Sequence, residues 1–475
     1  MSRQKSLKSA VALAVAAGTI AVVPTLDAGP VSAVDACTAD GACAGGEFFA
    51  IEPARVFDST GTGGPGRIDA NGAVNVPVTG VAGIPSDGVL AVAAKVTIAG
   101  APGRGFVSVR PSDFSPGGGD ELTSLINFEN PGSVVGNFGI IGVGSAGELT
   151  VDLSSEAPGD VRVIVDVFGW VATSSYRPAG GTDPDPTLGG RIVTQTPQRL
   201  LDTRPGQGPD DGREGALGGG ERLTIPVRGQ AGVPDSSNVV GVALNATGIN
   251  TSGSAAETFL SISPDPVPDG AASSDTSTGN YRPGDITADF VIVPVNADGD
   301  ISLFNAFGDL NVAIDVVGYV EAGYAESSFA GRIVPLEAPF RAFDTRQAEF
   351  DSVRLGAQSW EDWSFEDFAA SVELDGAPVG AQSGLLGNLT GFSFQTAFPG
   401  GPDRTFMTLN PTEASPFDSA PSNSNLNHLG AGATGNMGLV TYGSNGDGDP
   451  QMVSAFNSEG QVHYTLDVFA VILAD

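Results

Sequence analysis

The chain has very little cysteine or histidine, two side chains that often carry nucleophilic, metal-binding or acid–base chemistry. Among 475 residues there are two cysteines, Cys37 and Cys43, and two histidines, His428 and His463. No HExxH, no GxSxG nucleophile elbow and no cysteine–histidine arrangement occurs, so metallopeptidase, serine-hydrolase and thiol-protease chemistry lack a basis in the sequence. The glycine-rich run 61–66 does not open a helical pattern, which removes the phosphate cradle of a nucleotide-binding loop. Basic residues are scarce as well: 22 Lys and Arg stand against 55 Asp and Glu, a net charge of −33. Such a surface cannot neutralise a phosphate backbone and is repelled by anionic lipid, so no nucleic-acid partner is expected. In the first repeat unit, 47–172, helical periodicity never persists beyond about two turns. The expectation from these absences is a protein that is not an enzyme and uses no cofactor.

What is present is β structure and a secretion leader. Gly reaches 67 and Pro 33, and they break the apolar content into short runs, as in an all-β chain. Arg3, Lys5 and Lys8 precede an apolar stretch, 10–23, that is too short to span a bilayer; small residues at Ser32 and Ala33 then suit cleavage. Residues 1–33 are therefore read as a signal peptide, with an extracellular or cell-surface destination and no membrane span in the mature chain. Residues 34–46 carry Cys37 and Cys43 in CTADGAC, and an oxidising compartment makes a small-loop disulfide the expectation. The chain closes on strand-like sequence, without an LPxTG-like sorting signal, so covalent anchoring is not expected.

The remainder is one unit written three times. Opening segments ARVFDST (54–60), QRLLDTR (198–204) and FRAFDTR (340–346) are answered by closing segments VRVIVDVFGWV (161–171), NVAIDVVGYV (311–320) and VHYTLDVFAVI (462–472). Each copy holds about eight β-branched runs separated by Gly, Pro, Asp and Ser, the spacing of a sandwich or barrel. The sequence predicts three tandem antiparallel β-sandwich or jelly-roll-like modules at 47–172, 190–320 and 331–475, the third divergent. They are joined by a linker at 173–189 and a shorter one at 321–330. Each copy is large enough for its own core, so three monomeric beads are expected rather than one stacked array.

The order RLLDTR, GVP, VALNAT, FLSISP, VIVPV, a Gly-Asp turn and VAIDVVGYV resembles a repeat domain common in secreted surface proteins of actinobacteria. The resemblance covers nearly all of the chain after the leader, and SNLN in the third copy fits it. Two departures are plain: Thr60 replaces the arginine of DTR in the first copy, and Ala470-Val471 replaces the Gly-Tyr pair in the third. The resemblance implies a location and an all-β architecture without an assigned activity.

Four sets of residues remain as candidates. The recurring aspartates Asp58, Asp202 and Asp344, and Asp166, Asp315 and Asp467, lie on strands where a buried carboxylate must be paired. Arg204 and Arg346, or Arg55, Arg199 and Arg341, are the available partners, and the expected role is structural. Asn245-Ala-Thr247 and Asn388-Leu-Thr390 match a glycosylation sequon but share one register, where the first copy has Lys95-Val-Thr97; packing is the expectation. Asp298, Asp300, Asp447 and Asp449 lie in Asp-rich turns that are weak calcium candidates, since Asn-Gly and Asp-Gly are also the usual hairpin residues. Trp360, Trp363, Phe365 and Phe368 form the one aromatic concentration. Exposed, they would stack on sugar rings; buried, they would make a core strand or short helix. The leading expectation is a non-catalytic structural or interaction protein contacting cell-wall polysaccharide or a surface protein. A carbohydrate-binding module array is the alternative, and a hydrolase on a jelly-roll-like fold a more distant one.

Overall fold

The computed structural model describes residues 3–6, 46–115, 123–173, 176, 189–209, 213–250, 257–268, 274–324, 328–347, 354–374, 377–392, 404–413, 420–429, 432–445 and 447–475. Cys37 and Cys43 fall outside the described residues.

In the first repeat the opening strand Phe48–Asp58 pairs with the closing strand Asp160–Ala172; the third strand Val89–Ala99 and the sixth, Val134–Gly142, follow in that order. The second strand Ala73–Pro77, the seventh, Glu148–Ser155, the fourth, Gly105–Pro111, and the fifth, Ile126–Phe128, form the other sheet. All these pairings are antiparallel. The second repeat has the same two orders: Arg191–Asp202, Asn311–Glu321, Val239–Ile249, Ile286–Pro294, and then Arg222–Pro226, Asp300–Asn305, Thr258–Ser263, Gly279–Tyr281. So does the third: Ile333–Asp344, His463–Leu473, Gln382–Phe392, Ala433–Thr441, and Ser359–Ser364, Met452–Asn457, Arg404–Pro411, Leu426–Leu429. The protein is all-β and is made of six antiparallel blades of four principal strands each. The expected eight runs per repeat are all there. The segment read as replacing the second strand of repeat 3 still supplies one, Ser359–Ser364, which leads into the short helix Glu366–Ser371.

The expectation of three tandem sandwiches strung as beads is corrected. Six blades gather into one body, because the repeats share a core. A single apolar cluster runs through repeats 1 and 2 and takes in Leu386, Met437, Leu439, Phe469, Ala470 and Ile472 of repeat 3. A second cluster fills the interior of repeat 3. This explains why the closing strands read as unbroken apolar runs: His463–Leu473 is buried at every position, as a strand covered on both faces must be. The second strand of repeat 1 instead alternates, with Val76 buried between exposed Asn75 and Pro77, as a strand with one wet face should.

The arrangement has pseudo-threefold character. The sixth strands of the three repeats meet one another, and Phe138, Phe290 and Met437 occupy the same position on them, all buried. Phe138 and Phe290 stack edge to face with centroids 5.3 Å apart. Beside them the starts of the opening strands close a backbone ring. The amide of Phe48 donates to Gly190 O (2.8 Å), that of Ile192 to Gly331 O (2.9 Å), and that of Ile333 to Gly46 O (2.9 Å). Contact therefore runs from repeat 1 to 2, from 2 to 3, and from 3 back to 1. Gly331 sits there at φ 74°, and an added Cβ would lie 2.6 Å from Ile192 O, so both the turn and the close approach require glycine.

Candidate functional site

The residues repeated in all three copies build three devices. The first is the DTR segment. Asp202 Oδ1 accepts from the Arg204 backbone amide at 3.0 Å, and the Arg204 guanidinium closes back onto the same carboxylate at 2.9 and 2.6 Å. Asp344 and Arg346 repeat this at 3.0, 2.8 and 2.6 Å. The threonine between them turns inward: Thr203 and Thr345 are fully buried, and each hydroxyl accepts a closing-strand amide, from Val312 and Tyr464, at 2.9 Å. In repeat 1, where Thr60 breaks the motif, Arg162 on the closing strand takes the arginine's place and grips Asp58 through Nε at 2.9 Å and through Nη2. Sequence reading missed Arg162, because its counterparts Asn311 and His463 share no charge with it. Asp58 is held below the usual carboxylate range by the Arg162 hydrogen bonds. Burial pushes Asp202 and Asp344 up, but Arg204 and Arg346 outweigh it and the net direction is down.

The second device pairs the closing aspartates with the arginine three residues before each opening aspartate. Asp166 takes Arg55 at 2.7 and 3.0 Å, Asp315 takes Arg199 at 2.6 Å, and Asp467 takes Arg341 at 2.8 and 3.0 Å. Of the two sets of arginines considered, Arg55, Arg199 and Arg341 serve this role, while Arg204 and Arg346 serve the DTR clasp. Burial raises the pKa of Asp166, Asp315 and Asp467, and the guanidinium partners only partly offset it. Each carboxylate is committed to an ion pair between the opening and closing strands.

The third device lies between repeats. Lys95, Asn245 and Asn388 share one register on the third strands, and all three are buried. Lys95 Nζ donates to Asp289 Oδ1 at 2.6 Å and to Thr278 O, both in repeat 2. Asn245 donates to Ser424 O and accepts from Asn436 Nδ2 at 3.1 Å, both in repeat 3. Asn388 donates to Ser124 O at 2.7 Å and accepts from Asn137 Nδ2 at 2.9 Å, both in repeat 1. The partners Asn137, Asp289 and Asn436 are themselves at one register on the sixth strands. The sequon-like asparagines are thus interior locks, as the shared register suggested.

The aromatic cluster does not form one surface. Trp363, Phe365 and Phe368 are buried, which corrects their reading as ligand-binding residues. Alternation along the strand explains it: Glu361 and Trp363 point inward, Trp360 and Asp362 outward. Trp363 stacks on Phe343 at 4.3 Å and its Nε1 donates to Tyr464 OH at 2.8 Å, while Tyr464 OH donates to Glu361 Oε2 at 2.5 Å. Only Trp360 stays half-buried; it lies opposite Phe456 across the sheet, with centroids 4.9 Å apart, and Phe406 follows at 5.7 Å from Phe456. The Asp-rich turns close on asparagine. Asn296 Oδ1 accepts from the Asp298 and Asp300 amides at 3.0 and 2.9 Å, and Asn445 Oδ1 from those of Asp447 and Asp449 at 3.1 and 2.9 Å. Turn geometry accounts for both segments, and no group of three His, Cys, Asp or Glu is placed to hold a metal among the described residues.

No protein-family model and no curated protein matches this chain. Among solved structures, an archaeal-virus structure with a triple jelly roll fold and turret assembly is 8% identical, covers 85% of this chain and 82% of its own, and has a TM-score of 0.15. The N-terminal CBM22-1–CBM22-2 tandem domain of Paenibacillus barcinonensis Xyn10C is 13% identical, covers 58% of this chain and 99% of its own, also at 0.15. Likenesses this low carry no argument, and the functional reading rests on the chain's own geometry.

Proposed function

We propose that the chain is a secreted, non-catalytic cell-surface or extracellular protein of the actinobacterial repeat type. It would hold three related β units as one rigid body and present their outer sheets to a cell-wall polysaccharide or a surface protein. One observation carries this reading. The charged and amide residues that recur in every copy, namely the DTR clasps, the closing Arg–Asp pairs and the Lys95/Asn245/Asn388 locks, are consumed in joining strands and repeats.

Sugar binding is the second reading, and half-buried Trp360 favours it, with half-buried Phe406 on the same sheet and the buried Phe456 ring between them, since exposed aromatic faces stack on pyranose rings. The test is a pull-down of the protein on insoluble cell wall and polysaccharides beside Trp360→Ala. Retention of wild type with loss by the variant supports the sugar reading. Equal retention of both places the contact elsewhere on the body. A catalytic turnover of any polysaccharide in the same assay would overturn the non-catalytic reading.

A further inference from the structure

Outside the leader, which holds Lys5 and Lys8, Lys95 is the only lysine of the chain. It is 2% exposed and lies in the contact between repeats 1 and 2. We propose that Lys95 and Asp289 fix the cyclic order in which the three repeats close.

The argument is one of symmetry. A ring of three has two cyclic orders. In the observed one the lock residues pair as Lys95–Asp289, Asn245–Asn436 and Asn388–Asn137. In the reverse order the same positions would pair as Lys95–Asn436, Asn388–Asp289 and Asn245–Asn137. Amides exchange partners with little penalty, because each carries both a donor and an acceptor. A buried ammonium and a buried carboxylate do not: parted, each loses its counter-charge across the interface, and Lys95 keeps only Asp166 of its own repeat beside it. The surroundings are built for the charged pair. Thr278 O takes a further Lys95 proton, and Tyr281 OH donates to Asp289 Oδ2 at 3.2 Å, with Tyr281 buried beside them. Were all three interfaces amide pairs, the two orders would share the same lock chemistry; one ion pair makes them unequal.

The test is refolding from denaturant of the whole chain in three forms, with species counted by size exclusion and native ion mobility. Wild type should return as one monomeric species. Lys95→Asn/Asp289→Asn should return as two or more, from reversed closure or from repeats exchanged between chains. Moving the pair to the next interface, as Lys95→Asn/Asp289→Asn/Asn245→Lys/Asn436→Asp, should restore a single species. A double variant that refolds to one species indistinguishable from wild type overturns the proposal. If the double variant does not fold while the transplanted form refolds to one species, the proposal stands. Failure of both overturns it, because the place of the pair and not its presence would then matter.

Discussion

At the lock positions the contact between repeats 1 and 2 differs in charge from the other two. It buries an ammonium against a carboxylate, where the contacts 2–3 and 3–1 bury amide against amide. The backbone hydrogen bonds around the pseudo-threefold are the same at all three, 2.8 to 2.9 Å. The comparison therefore separates two jobs. Backbone ring and apolar cluster supply attraction common to every contact, and the lock residues supply what distinguishes one contact from another. An ion pair removed from water gains little over a well-packed apolar pair, but losing one partner is costly.

The largest expected effect follows from that asymmetry. Lys95→Met should destabilise the chain by about 3–5 kcal/mol at neutral pH, read by chemical denaturation, because Asp289 is left as a buried charge. Burial already raises the Asp289 pKa. A raised carboxylate pKa contributes stability at low pH that is lost as pH rises through the folded value, so part of the loss in this variant should return on acidification. No return would mean that Asp289 finds another cation. Next, Asn388→Ala should cost about 1–3 kcal/mol by the same measurement, since it orphans Ser124 O and one Asn137 contact without stranding a charge. A loss equal to that of Lys95→Met would erase the distinction drawn here.

Smaller effects belong to the DTR clasps. Arg162→Ala in repeat 1 should cost about 1 kcal/mol, because both partners are partly wet, and Arg346→Ala in repeat 3 should cost more, because it leaves the buried Asp344 with only Arg341 at 3.7 Å as its ion-pair partner. No loss from Arg162→Ala would mean that Arg162 does not substitute for the missing arginine at position 60. Asp58, Asp202 and Asp344 are all held below the usual carboxylate range. Depressed values contribute stability above the unfolded pKa, near 4, that disappears as pH falls. Asp344→Asn should therefore flatten the acid limb of the stability curve; an unchanged limb would remove the clasp from the account.

Much of this was readable in residues and some was not. The strands were legible because each copy repeats them between Gly and Pro punctuation, and the fixed spacing of Arg, Asp and the closing Asp announced paired charges. Closure of the ring was not, because its contacts join residues far apart in sequence, 191 positions for Asn245–Asn436 and 251 for Asn137–Asn388. The asparagine register gave half of each lock; the other half, on the sixth strands, carries no motif. Trp360 and Trp363 looked like one patch because both lie in a six-residue strand, yet a period of two sends them to opposite faces.

Small-angle scattering of the chain tests the central claim most directly. A single closed body of this length has a radius of gyration of about 23 Å, whereas three separate domains in line would give roughly 35 Å. The closed ring predicts the first value, together with one cooperative unfolding transition. The second value, with the repeats melting independently, would contradict it.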